Sequence, residues 1–317
     1  MDILITGSVA YDYLMTFSGK FKDNFLPDQL ENISLSFLVD TLVRRRGGIA
    51  PNIAYTYALL GGTPRVFATV GEDFSDYRAW LDSKGVNTAD LIVIPDKLTA
   101  SFFATTDQEN AQLASFYPGA MAHAAEISLK DLTIKPDLVV ISPNDPTAMD
   151  LYIDQCKDLA LDYVYDPSQQ IARVEGDVLR KGVLSAKALF VNQYEYSLIQ
   201  KKTGLSPEEI ISAVEFMVIT LGDKGAEIYV DGEVIHVDAI PTENIVDPTG
   251  AGDAFRGGFL TGFSRGWDWD TCAQLGSLAA TYCLESDGPQ GHVYTRQEFI
   301  TRYREHVDDL QLLDKLI

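Results

Sequence analysis

The sequence predicts one α/β domain, a mostly parallel central sheet with helices on both faces and a small β appendage. Three observations carry that expectation. Short runs of buried-type residues (Ile3 to Thr6, Val66 to Val70, Leu138 to Ser142, Ala188 to Asn192) alternate with helical stretches, the pattern of a parallel sheet covered on both faces. Of the 317 residues, 46% are hydrophobic and 22% charged, which supplies a substantial core. No repeat, low-complexity stretch or linker divides the chain, so residues 1–317 are expected to form a single unit.

The elements follow in order. Ile3 to Thr6 is a strand closed by a turn at Gly7. Residues 11–46 mix aromatic and polar residues with turn formers, which fits short, half-exposed strands, and the run Arg44-Arg45-Arg46 leads into Gly47-Gly48. Asn52 to Leu60 reads as a helix closed by Gly61-Gly62. Val66 to Val70 is a strand, and Asp76 to Lys84 a helix ending at Gly85. Ala100 to Phe116 holds two β-rich stretches around a polar turn at Asp107 to Asn110, a hairpin. Strands at 138–142, 163–166, 188–192 and 218–221 then alternate with helices at 150–161 and 207–216. A strand pair, 226–230 and 233–237, turns at Asp231-Gly232, and the chain is helical from Asp253 onward. The appendage is built from two separated segments, roughly 12–46 and 97–118.

Charge narrows the function. With 25 Lys and Arg against 46 Asp and Glu, the net charge is −21. That excess repels nucleic-acid backbones and anionic lipid surfaces, so no nucleic-acid or membrane partner is expected. A small phosphorylated ligand remains compatible, because converging backbone N–H groups override the global field locally. Cys156, Cys272 and Cys283 form no CxxC pair, which reads as reduced, buried thiols. The start of the chain lacks a basic leader and no run is long enough to span a membrane, so a cytoplasmic protein is expected. The four histidines are scattered and receive no metal or catalytic role.

The strongest chemical signal is Asp247-Pro-Thr-Gly-Ala-Gly-Asp-Ala-Phe-Arg-Gly-Gly-Phe259. Gly250, Ala251 and Gly252 precede a helical stretch, and free N–H groups at a helix start bind an anion. Asp253 at the first helical position is placed to accept a proton from a hydroxyl that attacks a phosphoryl group. Read alone, the same residues fit a capped helix behind a Gly-rich turn equally well. Gly47-Gly48 offers bare backbone for a substrate to lie against, and Asn52 offers a donor and an acceptor for hydroxyls. Asp12 lies just past the first strand, where a carboxylate accepts bonds from both hydroxyls of a cis-diol. No G-x-x-x-x-G-K-[ST] is present, which excludes a P-loop enzyme.

With these motifs in order, the chain resembles the ribokinase, or PfkB carbohydrate kinase, family. The 247–259 segment is similar to its C-terminal signature. Arg46-Gly-Gly-Ile-Ala-Pro-Asn-Ile-Ala, with Leu59-Leu-Gly61 and Val70-Gly-Glu-Asp-Phe74, is similar to its N-terminal one. Asn192-Gln-Tyr-Glu195 resembles the family's N-x-x-E motif, and Thr220-Leu-Gly-Asp-Lys-Gly225 its nucleotide-side turn. The resemblance implies a ribokinase-like fold whose appendage is a lid over the phosphoryl acceptor. It implies ATP bound near Asn192, Glu195, Thr220, Gly222 and Gly225, and Mg²⁺ held through waters by Glu195 and Asn192. Asp253 is then the base, and Gly250, Ala251 and Gly252 form the anion hole. A monovalent cation, K⁺, is implied beside the anion hole at Asp247 and Thr249.

Further stretches, among them Ala100 to Asp107, Ala114 to Met121, Gly7 to Asp12 and Asp166 to Gln170, resemble the adenosine kinases of that family. That implies transfer from ATP to the 5′-hydroxyl of adenosine. Ser8, Ser36, Gln169 and Gln170 would lie near the base, and Asp12, Gly48 and Asn52 would hold the ribose. Phe102 and Phe116 would sandwich the purine, and Arg173 would approach the phosphoryl group. A sugar kinase for ribose or fructose, or a kinase for another purine nucleoside, is the alternative, and monomer and homodimer both remain open.

Overall fold

A computed structural model describes residues 1–25, 34–307 and 311–317. In chain order the strands are β1 (Ile3–Thr6), β2 (Ala10–Thr16), β3 (Thr41–Gly47), β4 (Arg65–Val70), β5 (Leu91–Val93), β6 (Ala100–Thr106), β7 (Gln112–Tyr117), β8 (Leu138–Ile141), β9 (Tyr163–Tyr165), β10 (Ala188–Asn192), β11 (Phe216–Thr220), β12 (Ala226–Val230) and β13 (Glu233–Val237). The helices are α1 (Ile49–Leu59), α2 (Ser75–Ser83), α3 (Pro146–Asp158), α4 (Gly176–Ser185), α5 (Gln193–Thr203), α6 (Pro207–Ala213), α7 (Ala251–Phe263), α8 (Trp269–Leu284) and α9 (Arg296–His306).

Nine strands form the larger sheet in the order β13-β12-β11-β10-β9-β8-β1-β4-β5. Pairing is parallel from β11 to β5, and β12 and β13 close one edge antiparallel. Successive side chains of each strand feed opposite cores. Ile3 and Ile5 pack with Ile53 of α1 and Phe259 of α7, whereas Leu4 packs with Tyr152 of α3 and Leu179 of α4. This alternation of two apolar faces is why the strands carry almost no polar positions. Strand order reverses direction between β8 and β1, and the carboxyl ends of the parallel strands meet there, the usual place for a ligand in such sheets.

The two separated segments expected to form an appendage come together as a four-stranded sheet, β3-β2-β6-β7. Residues 26–33 of the first segment lie outside the described residues. Only β2 and β6 run parallel here; the 226–230 and 233–237 pair and the 100–116 hairpin form as the sequence predicts.

Several boundaries differ. The first helix begins at Ile49, because Pro51 fits a first turn and Gly48 precedes it. The third begins at Pro146, with Asp145 accepting from the Thr147 and Ala148 amides. Helix α4 has no counterpart among the expected elements, whereas α5 starts at the Asn192-x-x-Glu195 motif. Among the described residues no helix is long and apolar enough to cross a membrane. All three cysteines are free and buried.

Candidate active site

Loop 247–250 delivers the chain to α7 with Gly250 as its cap at φ +82°. A Cβ at Gly250 would lie 2.4 Å from Pro289 Cβ, so both backbone and packing demand glycine. Of the amides that open α7, that of Ala251 donates to the Pro248 carbonyl at 3.3 Å and that of Ala254 to the Gly250 carbonyl at 2.8 Å, which leaves those of Gly252 and Asp253 as donors ahead of the first intrahelical bonds. Asp253 is the third residue of this helix, not its first, and caps nothing. It is 8% exposed, and its Oδ2 accepts from Asn52 Nδ2 of α1 at 2.8 Å. Burial raises the Asp253 carboxyl to about 7; Arg256 and the Asn52 bond act against that rise, while Asp166 and Glu195 add to it. Were Asp253 to serve as a base, kcat/KM would climb about tenfold per pH unit below 7 and level above it. A flat profile between pH 5 and 8 would remove Asp253 from that role.

One helical turn further on, Arg256 is buried in an otherwise apolar and glycine-rich stretch. Its Nη2 donates to Asp166 Oδ1 at 2.6 Å and its Nη1 to the Gly252 carbonyl at 3.0 Å. Asp166 follows directly on β9 and is fully buried. Glu195 faces the same cluster from the start of α5. Its Oε2 accepts from the Asn192 amide at 2.8 Å, and Asn192 Oδ1 accepts from the Glu195 amide at 2.8 Å. The pair is therefore a capping box, yet the Glu195 charge still acts on Asp253. Three carboxylates thus surround one guanidinium next to a helix start that attracts anions.

On one side of α7 lies a cleft of about 490 Å³, walled by Thr220, Gly222 and Gly225 together with Ala251, Gly252 and Phe255. On the other side stands the smaller sheet. Asp12 of β2 is raised to about 6 by burial, opposed by Arg45. A Cβ at Gly47 would lie 2.6 Å from Asp12 Oδ2. Asn52 Oδ1 accepts from Gln290 Nε2 at 2.7 Å, Gln290 Nε2 also donates to the Tyr77 hydroxyl at 2.5 Å, and that hydroxyl donates to the Gly47 carbonyl at 3.0 Å. A continuous polar chain therefore runs from Asp253 to the base of the smaller sheet.

The family model of the pfkB family carbohydrate kinases matches residues 8–296. The chain belongs to that family. This PfkB-family chain is similar to a nucleoside kinase of Burkholderia thailandensis solved with inosine, at 36% identity and a TM-score of 0.83, covering 96% of this chain and 97% of that one. It is also similar to a nucleoside kinase of Methanothermobacter thermautotrophicus, 29% identical over 306 residues and covering 95% of each chain. A cytidine kinase of Thermococcus kodakarensis is 28% identical over 250 residues, covering 76% of this chain and 88% of that one.

Within this family member the expected residues divide. Asp253, Asn52, Gly250, Ala251 and Gly252 converge, Thr220, Gly222 and Gly225 share the cleft with Ala251 and Gly252, and Asp12 stands across. Gly48 is required by packing within the chain, because a Cβ there would meet Ser8 O at 2.5 Å and Val9 Cα at 2.7 Å. Phe102 and Phe116 correct one expectation. They are direct partners across β6 and β7, and Phe102 is also in register with Asp12. Partners share a face, so the two rings form one wall and do not sandwich a base between them. Phe116 is 44% exposed there.

Ser8 is half-buried and its Oγ accepts from the Ile49 amide at 3.3 Å. Gln169 is exposed and Gln170 buried. Ser36 and Arg173 are exposed, and among the described residues no hydrogen bond or ion pair joins them to the cluster. Asp247 and Thr249 bond to each other, the Thr249 amide donating to Asp247 Oδ1 at 2.9 Å. Arg256, Asp166, Gln290 and Tyr77 were missed. The signal for Arg256 was present, a lone basic residue inside a helix whose neighbours must be buried.

Proposed function

We propose that this chain transfers the γ-phosphoryl group of ATP to the 5′-hydroxyl of a purine nucleoside, adenosine first, giving the nucleoside 5′-monophosphate and ADP. The observation that carries the reading is the place of Asp253, a buried carboxylate oriented by Asn52, beside the helix start that attracts phosphate and across from Asp12. Likeness to a nucleoside kinase solved with inosine supports a nucleoside over a free sugar.

In this reading the smaller sheet is a lid, and Asp12 and Asn52 hold the ribose hydroxyls. Asn52 keeps one N–H for that purpose after donating to Asp253. Asp253 takes the 5′-hydroxyl proton as the oxygen attacks, and the opening amides of α7 stabilise the negative charge on the transferred group. Phe102 and Phe116 offer a flat apolar wall to one face of the base. Ser8, Gln169 and Gln170 line its edge, Ser36 lies further along the lid, and Arg173 approaches the phosphates when the cleft closes. The excess of carboxylate over guanidinium around Asp253 fits Mg²⁺, held through waters by Glu195 and Asn192, which would neutralise phosphate charge.

The test is a coupled ADP-release assay across adenosine, inosine, guanosine, cytidine, ribose and fructose. Purine nucleosides are expected to give the highest kcat/KM, and ribose or fructose in first place would overturn the reading. In the same assay 2′-deoxyadenosine, which leaves one bond of the Asp12 carboxylate unmade, is expected to fall about ten- to hundredfold below adenosine. Asp12→Ala should erase that preference. Equal kcat/KM for the two nucleosides with the wild type would take Asp12 out of the ribose site.

A further inference from the structure

The run Arg44-Arg45-Arg46 sits on β3, and strand alternation splits it. Arg44 and Arg46 lie over aromatic rings on one side, 4.8 Å from the Tyr11 centroid and 4.7 Å from that of Trp80. Arg45 turns to the other side, in register with Asp12. Its Nη1 donates to Asp247 Oδ2 at 2.8 Å and its Nη2 pairs with Asp287. Its stem packs on Gly288, where a Cβ would lie 3.0 Å from Arg45 Cδ. Asp247 Oδ1 is already taken by the Thr249 amide at 2.9 Å, so both oxygens of that carboxylate are engaged, and the side chain is 14% exposed.

Family resemblance implies a monovalent cation at Asp247 and Thr249. The residues present do not fit one. Such an ion would share a carboxylate that a guanidinium already neutralises, and two unit cations on one carboxylate repel each other. We propose that the Arg45 guanidinium takes the place of the monovalent cation in this chain, bridging the 247–250 loop to the 287–288 turn and tying lid strand β3 to both.

The choice of side chain agrees with this. A planar fork with several N–H groups reaches two carboxylates at once, which the compact ammonium of lysine does not. Being covalently attached and permanently charged, it holds the loop before α7 regardless of the salt present. Because Asp12 is its register neighbour, the same bridge fixes the acceptor-side strand against the phosphate-binding loop. Arg45 touches neither reacting atom in this account; it is a positioning residue, and the inference rests on the kinase reading given above.

The wild-type chain decides the matter in chloride salts of K⁺, Na⁺ and tetramethylammonium at one ionic strength. Melting temperatures are expected to agree within about 1 °C, since no ion binds the folded state selectively, and kcat for adenosine within about twofold. A melting temperature or kcat raised selectively by K⁺ overturns the proposal. Arg45→Met keeps the length of the stem and removes the charge; its kcat is expected to fall about tenfold or more through misplacement of the loop, with part restored by millimolar guanidinium or K⁺. Arg45→Lys is expected to recover only part of the loss. An Arg45→Met enzyme with wild-type kcat, indifferent to added cations, also overturns the proposal. Should Arg45→Met fail to fold, Arg45→Lys and the wild-type salt series still decide. The melting arm needs no substrate, so it reports on Arg45 even if no nucleoside is turned over. Failure of the kinase reading shows instead as no turnover in any salt.

Discussion

Asp253→Asn is expected to bind nucleoside within a few fold of the wild type and to turn it over about 10²–10⁴ times more slowly. The substitution keeps the shape of the side chain, and its amide oxygen still accepts the bond that Asn52 Nδ2 donates at 2.8 Å. What disappears is the capacity to take a proton. The opening of α7 is untouched, because Gly250 and not Asp253 caps the helix, so phosphate binding and fold persist. Residual turnover then measures what positioning and the amides achieve without a base. Steady-state kcat and a nucleoside dissociation constant on the same preparation check the result. A near wild-type kcat would show that the proton leaves by another route, and an equal loss of binding would make Asp253 a substrate anchor.

The fold was legible where local pattern and tertiary role coincide. Strands such as Leu138 to Ile141 are apolar on both faces, and only burial in a covered parallel sheet explains that. The start of α7 was legible because a glycine forced to φ +82° and an acid three residues later leave a mark in sequence. Other features depend on partners far away. Arg256 and Asp166 are 90 residues apart, and Gln290 and Asn52 are 238 apart, so no window joins them. The wall made by Phe102 and Phe116 turns on register, since shifting the hairpin by one residue would place the rings on opposite faces. For α5 one short motif carries both readings, a helix start and a site. Asn192-x-x-Glu195 is a helix-starting capping box as well as a site motif. Gly48 shows the converse limit, because a glycine announces close approach without saying whether ligand or backbone approaches.

Arg256→Met is expected to lower stability and to move the pH profile together. Among the described residues the guanidinium is the one positive group paired with buried Asp166, its Nη2 donating to Asp166 Oδ1 at 2.6 Å. Removing one partner of a buried pair leaves the other charge uncompensated, at a cost of about 3–5 kcal/mol. For a chain of this size that lowers Tm on the order of 10 °C. The second effect runs through Asp253. Arg256 opposes the rise that burial, Asp166 and Glu195 impose on that carboxyl, which stands at about 7 with the arginine present. Without the arginine the charged form loses support and the carboxyl is pushed still further above its ordinary value. The rising limb of kcat/KM therefore moves to higher pH, and the variant is more impaired at pH 6.5 than at pH 8.5. Adding Asp166→Asn removes the stranded charge and is expected to restore part of the lost Tm, since a buried neutral amide without a partner costs less than a buried uncompensated charge. Scanning calorimetry and pH–rate profiles on the single and double variants separate the two effects. A variant that melts early yet keeps the wild-type limb would make Arg256 an anchor for Asp166 alone, with no influence on the base.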